Sequence, residues 1–259
     1  MMKLAANLTM LFNEADFLDR FALAARAGFQ GVEFLFPYAY PAQALAAQLD
    51  AHRLELVLHN LPAGDWAGGD RGIACHPERR GEFEEGLAVA IAYAGALGVK
   101  QLNCLAGIVP PGVEREAAHA TLVANLRLAA RRLKDEGIAL LIEPINTFDI
   151  PGFFLHGTRQ ALDLIGETES DNLFLQYDIY HMQRMEGELA ATIKAHLPRI
   201  RHIQLADNPG RGEPGTGEIN YGYLLPALDA LGYTGWVGCE YKPRRTTAEG
   251  LLWITEHGF

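Results

Sequence analysis

Cysteine is scarce in this sequence. Cys75, Cys104 and Cys239 are the whole supply, odd in number and far apart. No Cys-x-x-Cys pair exists, which excludes a zinc framework and a disulfide-stapled scaffold. Cys104 and Cys239 lie inside apolar runs, where a thiol packs as a small hydrophobe. Basic residues are also short: 22 Lys and Arg face 32 Asp and Glu, for a net charge of −10 and a pI near 5.4. Such a surface is unsuited to gripping nucleic acid by phosphate neutralisation, although a few cations in a cleft still suit a small anion. No run of about 18 apolar residues is present to span a bilayer. The opening MMKLAANLTMLFNEADF lacks the basic start, apolar middle and small-residue cleavage site of a secretion signal. The expectation is a cytoplasmic protein without nucleic-acid or membrane partners.

What the sequence has is a large core and a strict alternation. Hydrophobic residues make up 49% and charged residues 21%, the proportions of an ordered globular chain. Eight short apolar runs recur: LAANLTM, GVEFLF, LELVLHN, VKQLNCLAG, IALLIEP, NLFLQYDIY, IRHIQLAD and WVGCEY. They are continuous rather than alternating, as strands covered on both faces are. Helical segments lie between them, among them EADFLDRFALAARAG, FEEGLAVAIAYAGALG and REAAHATLVANLRLAARRLKDEG. Several end on a glycine suited to a left-handed cap, at Gly28, Gly98, Gly137 and Gly232. The segment after the first run, TMLFNEADF, contains no glycine, which argues against a nucleotide-binding open sheet. The pattern predicts an α/β fold, a (β/α)8 TIM barrel, in a single domain over residues 1–259.

In such a barrel the chemistry sits at the C-terminal ends of the strands. The fifth run ends on Glu143 and the eighth on Glu240. The sixth carries Asp178, with His181 three residues on. The seventh carries His202 and Gln204 on one face, with Asp207 off it by one residue. Carboxylates converging on one mouth repel one another by roughly 4 kcal/mol per pair at ~4 Å and an effective dielectric near 20. A divalent cation relieves that repulsion. Oxygen ligands favour a hard ion, so Glu143, Asp178, Gln204 and Glu240 are expected to hold Mg²⁺ or Mn²⁺. A single carboxylate in such a place equally caps a helix or pairs with an arginine. His59, at the end of the third run, is a candidate substrate contact or a satisfied polar group, as are Asn7 and Glu33. Arg211, in the glycine- and proline-rich NPGRGEPGTGEIN, and Lys242 are the cations available for an anionic substrate.

The strings ANLTMLF, GVEFLFPY, HNLPAGDWAGGDRGIAC, LLIEPINTFDIPGF, QYDIYHMQRMEGEL, ADNPGRGEPGTGEINY and GWVGCEYKP carry a family resemblance over nearly the whole chain. The chain resembles the hydroxypyruvate isomerases of the xylose-isomerase-like barrel superfamily. That resemblance implies aldose–ketose isomerisation of hydroxypyruvate to 2-hydroxy-3-oxopropanoate. It implies that Glu143 and Glu240 are proton donor and acceptor, in either order. It also implies that positions 143, 178, 204 and 240 hold a metal and that His181 and Arg211 touch substrate. The related epimerases often carry histidine where this chain has Gln204, a weaker ligand.

Proton transfer through an enediolate is the expected route, with His181 as shuttle for the hydroxyl proton and Arg211 or Lys242 on the substrate carboxylate. A two-metal hydride shift would need a second ligand cluster, for which only His202 and Asp207 are on hand. The competing substrate is a longer acid, 2-oxo-tetronate. An abasic-site endonuclease on the same barrel is disfavoured by the acidic charge, and a sugar-acid binding protein by the two strand-end glutamates. Phe36, Tyr38 and Tyr40 are expected to be exposed, packing over the mouth or against another subunit of a homo-oligomer.

Overall fold

The computed structural model describes residues 2–256. Eight parallel strands close in chain order: β1 (Lys3–Asn7), β2 (Gly31–Glu33), β3 (Glu55–Asn60), β4 (Gln101–Cys104), β5 (Ala139–Ile142), β6 (Leu173–Asp178), β7 (Ile200–Leu205) and β8 (Trp236–Cys239), which pairs back onto β1. Each lies on one of the apolar runs, so the predicted barrel is what forms. Helices α1 (Arg20–Arg26), α2 (Ala42–His52), α3 (Arg80–Leu97), α4 (Arg115–Asp135) and α5 (Thr158–Thr168) cover the outer face of the first half. After β6 the chain makes two helices rather than one, α6 (Ile179–Met185) and α7 (Leu189–His196). Helix α8 (Tyr221–Ala230) precedes β8 and α9 (Leu252–Glu256) follows it. The four glycines expected to end helices all adopt positive φ. No helix among the described residues is long and apolar enough to cross a membrane.

The outer face is a continuous apolar layer, because alternate strand residues such as Ala6, Val32, Leu102, Leu140, Ile203 and Val237 meet the helices. The inner face is graded. Ala5, Val57 and Leu141, with Phe174 and Trp236, form a separate apolar cluster towards the N-terminal ends of the strands. Two residues further along the same strands stand Asn7, His59, Glu143, Gln176 and Gly238, so the filling turns polar toward the C-terminal mouth.

Phe36, Tyr38 and Tyr40 are half-buried rather than exposed. Phe36 packs on Trp66, Tyr38 edge-on to Tyr93 and His59, and Tyr40 stacks on Phe17. The loop after β2 folds over its own chain because these rings bury more apolar area there than in water.

Candidate active site

The carboxylates expected to converge do so, and each is held by a different device. Glu143 lies one residue beyond β5 and accepts from Asn103 Nδ2, on β4, at 2.9 Å. Asp178 ends β6 and caps α6: its Oδ1 accepts from the His181 backbone N–H at 3.0 Å. Its other oxygen lies 3.7 Å from His181 Nε2 and 3.4 Å from Arg211 Nη2. Helix capping and site chemistry therefore coexist in one residue. Glu240, one residue beyond β8, accepts from Arg211 Nη2 at 2.9 Å. Glu143, Asp178 and Glu240 are only 5%, 0% and 3% exposed. Ligand atoms of Glu143, Asp178 and His181 lie within 4.8 Å of one another, close enough to share an ion.

Burial and mutual repulsion set the electrostatics. Loss of water, then the Glu240 and Asp178 charges, pushes the Glu143 carboxyl well above its ordinary range. Burial pushes Glu240 up to about 8, although Arg211 pulls the other way. Burial alone would lower Arg211, but the carboxylates of Glu240, Asp178 and Glu143 outweigh it and hold the guanidinium protonated. The site is thus short of positive charge, with one arginine for three acids.

Arg211 lies in a turn beside the exposed Pro209 and Gly210, yet its side chain is turned inward and only 16% exposed. Its loop is pinned from below by the buried Asp207, whose carboxylate accepts from the backbone N–H groups of Asn208, Gly215, Gly217 and Ile219. Lys242 N then donates to the Arg211 carbonyl at 2.8 Å, tying the β7 and β8 loops together. The Lys242 side chain is exposed. Arg211 therefore faces the protein's own carboxylates before any substrate arrives.

Gln204 is oriented from beneath. Its Nε2 donates to Glu33 Oε1 at 2.7 Å and its Oε1 accepts from Gln176 Nε2 at 2.6 Å. Glu33 also accepts from Asn7 Nδ2 at 3.0 Å and His202 Nε2 at 2.7 Å. One buried carboxylate thus gathers three donors and fixes which end of the Gln204 amide is oxygen. That oxygen keeps a second lone pair. His202 serves this network, and Asp207 serves the loop.

Gly238 makes room for the network, since a Cβ there would lie 2.4 Å from both Glu33 oxygens. Gly238→Ala is expected to lose about 1 to 3 kcal/mol of stability in urea unfolding, because Glu33 is held by three partners and cannot step aside. Gly95→Ala, in α3 with no atom near its added methyl, is the control and should stabilise by ~0.5–1 kcal/mol.

His59 and His181 are both fully buried, and burial brings each down to about 4, so both are neutral. His59 Nδ1 lies 3.0 Å from the Asn60 carbonyl, which only accepts, so Nδ1 carries the proton and Nε2 is left as an acceptor. Asn103 and Asn146 escaped the sequence reading. Asn103 is signalled only by a polar residue inside the apolar run of β4, and Asn146 only by its place three residues after Glu143.

Three comparisons place the chain among known proteins. The family model described as xylose isomerase-like TIM barrel matches residues 21–257. Hydroxypyruvate isomerase of Escherichia coli K12 is 60% identical over 254 residues, 98% of each chain. The 2-oxo-tetronate isomerase of Cupriavidus necator is 46% identical over 254 residues, again 98% of each. A crystal structure titled AP endonuclease, family 2, from Brucella melitensis superposes with a TM-score of 0.96 at 44% identity, over 99% of both chains. On the barrel, its strand-end acids and these matches, the chain belongs to the xylose isomerase-like TIM barrel family.

Proposed function

We propose that the chain is an isomerase interconverting hydroxypyruvate and 2-hydroxy-3-oxopropanoate, with Glu143 and Glu240 as the acid–base pair. The observation that carries the chemistry is the pair of buried glutamates with raised proton affinities at one mouth. A carboxyl whose proton affinity lies near neutrality is matched to taking and returning a proton. The 60% identity to a hydroxypyruvate isomerase supports the substrate. The 2-oxo-tetronate isomerases, at 46% identity and below, support the longer acid as the second reading. The name of the Brucella structure does not bring DNA chemistry to this chain, whose net charge of −10 opposes a phosphate backbone.

The donor set fits a hard divalent cation: three buried carboxylates, one arginine to offset them, and an amide oxygen with a free lone pair. We assign Glu143, Asp178, Gln204 and Glu240 as its ligands and Mg²⁺ as the ion, with Mn²⁺ as the alternative. When bound, it would polarise the substrate oxygens and offset the charge of an enediolate.

The chain's own residues supply the rest. One glutamate takes the proton from C3, and the C–H electron pair becomes the C2–C3 double bond of the enediolate. The other glutamate returns a proton to C2, while the C3 hydroxyl proton passes to the C2 oxygen as the carbonyl forms at C3. His59 Nε2 accepts from a substrate hydroxyl, and Lys242 or Arg211 meets the substrate carboxylate. The near absence of solvent exposure protects the enediolate from bulk water.

Hydroxypyruvate incubated with the enzyme in D₂O and followed by NMR should give product carrying deuterium at C2. Retention of hydrogen derived from C3 would replace proton transfer by a hydride shift. A parallel arm with 2-oxo-tetronate decides the substrate: kcat/KM for hydroxypyruvate should exceed it by at least ~10-fold, and the reverse ranking installs the second reading.

A further inference from the structure

The loop after β5 carries a side chain that the proposed reaction does not use, yet its hydrogen bonds determine the state of His181, which faces Glu143 and Asp178. Asn146 is fully buried. Its Oδ1 accepts from the backbone N–H of Phe148 at 3.1 Å and of Asp149 at 2.8 Å. Two N–H donors on one amide atom make that atom the oxygen, so the amide has only one orientation. Nδ2 then points the other way, to Asp149 Oδ2 at 3.1 Å and His181 Nδ1 at 2.7 Å. An amide nitrogen only donates. His181 Nδ1 must therefore be the acceptor, and the ring proton of the neutral imidazole must sit on Nε2. That nitrogen faces Asp178 Oδ2 at 3.7 Å and Glu143 Oε1 at 3.9 Å.

We propose that Asn146 is a positioning residue that locks His181 in its Nε2–H tautomer, making it a hydrogen donor into the site rather than a metal ligand. A ring nitrogen bearing hydrogen has no lone pair in the ring plane to give a cation, so His181 stands outside the ligand set despite its closeness to Glu143 and Asp178. Its place is over a substrate oxygen, where an N–H stabilises negative charge as it develops. The two buried histidines are then locked in opposite senses, His59 with an accepting Nε2 and His181 with a donating one. Asp149 completes the support: it accepts from Asn146, from the Tyr180 hydroxyl at 2.9 Å and from Arg184, so the loop cannot easily turn the amide over.

The donor role rests on the isomerase reading, whereas the tautomer does not, and the test separates them. In folded, substrate-free protein labelled with [¹⁵N]histidine, long-range ¹H–¹⁵N correlation distinguishes the two neutral forms. The His181 ring is identified by its loss in His181→Gln. The wild type should show a protonated Nε2 and a bare Nδ1. Asn146→Asp presents an oxygen to Nδ1 and should move a proton onto it. Asn146→Ala, should the aspartate variant not fold, should give a mixture of both forms. In either variant kcat should fall on the order of 10²-fold, with KM changed by less than about threefold, as expected of a misplaced proton. A bare Nε2 in the wild type, or an unchanged ring pattern in a folded variant, overturns the proposal. A correct tautomer in a chain that leaves hydroxypyruvate untouched would instead overturn the isomerase reading.

Discussion

Glutamine at position 143 or 240 should lower turnover by at least ~10³-fold while leaving the barrel folded. The expected size follows from general acid–base catalysis, which contributes about 10²–10⁴-fold, and from the loss of a step that no neighbour can take over. Glutamine keeps the shape and hydrogen-bonding reach of the side chain but cannot carry the proton. Stability should move the other way. Burial raises the proton affinity of each glutamate, and the repulsion of neighbouring carboxylates adds to it, against the pull of Arg211. Removing one charge relieves that repulsion, so the metal-free variants should melt no lower than the wild type and, above pH 7, somewhat higher. A variant that is both folded and active at near-normal rate would end the acid–base assignment. One that is inactive only because it is unfolded would show that the carboxylate holds the mouth together. Circular dichroism beside the rate assay separates these outcomes.

Chelation should make stability strongly pH-dependent, and the sign is determined by the direction of the shifts. A glutamate in the unfolded chain titrates near its ordinary value of 4.5, whereas Glu240 in the folded site titrates at about 8 and Glu143 is also raised. Between those values the folded state binds more protons than the unfolded one, so stability falls as pH rises. It is fully present below pH 4.5 as far as these groups are concerned, and lost through pH 8. The slope is on the order of 1.4 kcal/mol per pH unit for each such group. Chelated protein should therefore melt several degrees lower at pH 8 than at pH 6. Added Mg²⁺ should raise the melting temperature more at pH 8 than at pH 6, since binding must displace those protons. Equal melting at both values, or an equal Mg²⁺ effect, would argue that Arg211 alone satisfies the carboxylates.

The Arg211 geometry makes that experiment decisive. The guanidinium stands 2.9 Å from Glu240 and 3.4 Å from Asp178, and a single positive charge there leaves a net deficit. Truncating it would leave three acids buried together, and breaking a buried pair from one side costs about 3–5 kcal/mol. The loop around it is built for permanence, with one carboxylate accepting from four backbone N–H groups.

Much of this was legible in the sequence, for a physical reason. Strand and helix alternation is a local property of apolar spacing, so the eight runs marked the eight strands, and a closed parallel barrel requires its functional groups at the strand ends. That led to the expectation of Glu143, Asp178, Gln204 and Glu240 at one mouth, where the fold brings Glu143 and Asp178 beside His181 and seats Gln204 on Glu33 and Gln176. What spacing could not carry was direction and partnership. Only the closed ring brings Glu33 of β2 against His202 and Gln204 of β7, residues some 170 apart in the chain. Arg211 read only as a cation for an anionic substrate; folding turned it inward onto acids from two other strands. Asn146 carried no signal beyond its place three residues after Glu143, since an asparagine in a loop looks like any turn former. Its influence exists only where two backbone N–H groups and one imidazole meet it in space, and hydrogen-bond geometry of that kind belongs to the tertiary structure alone.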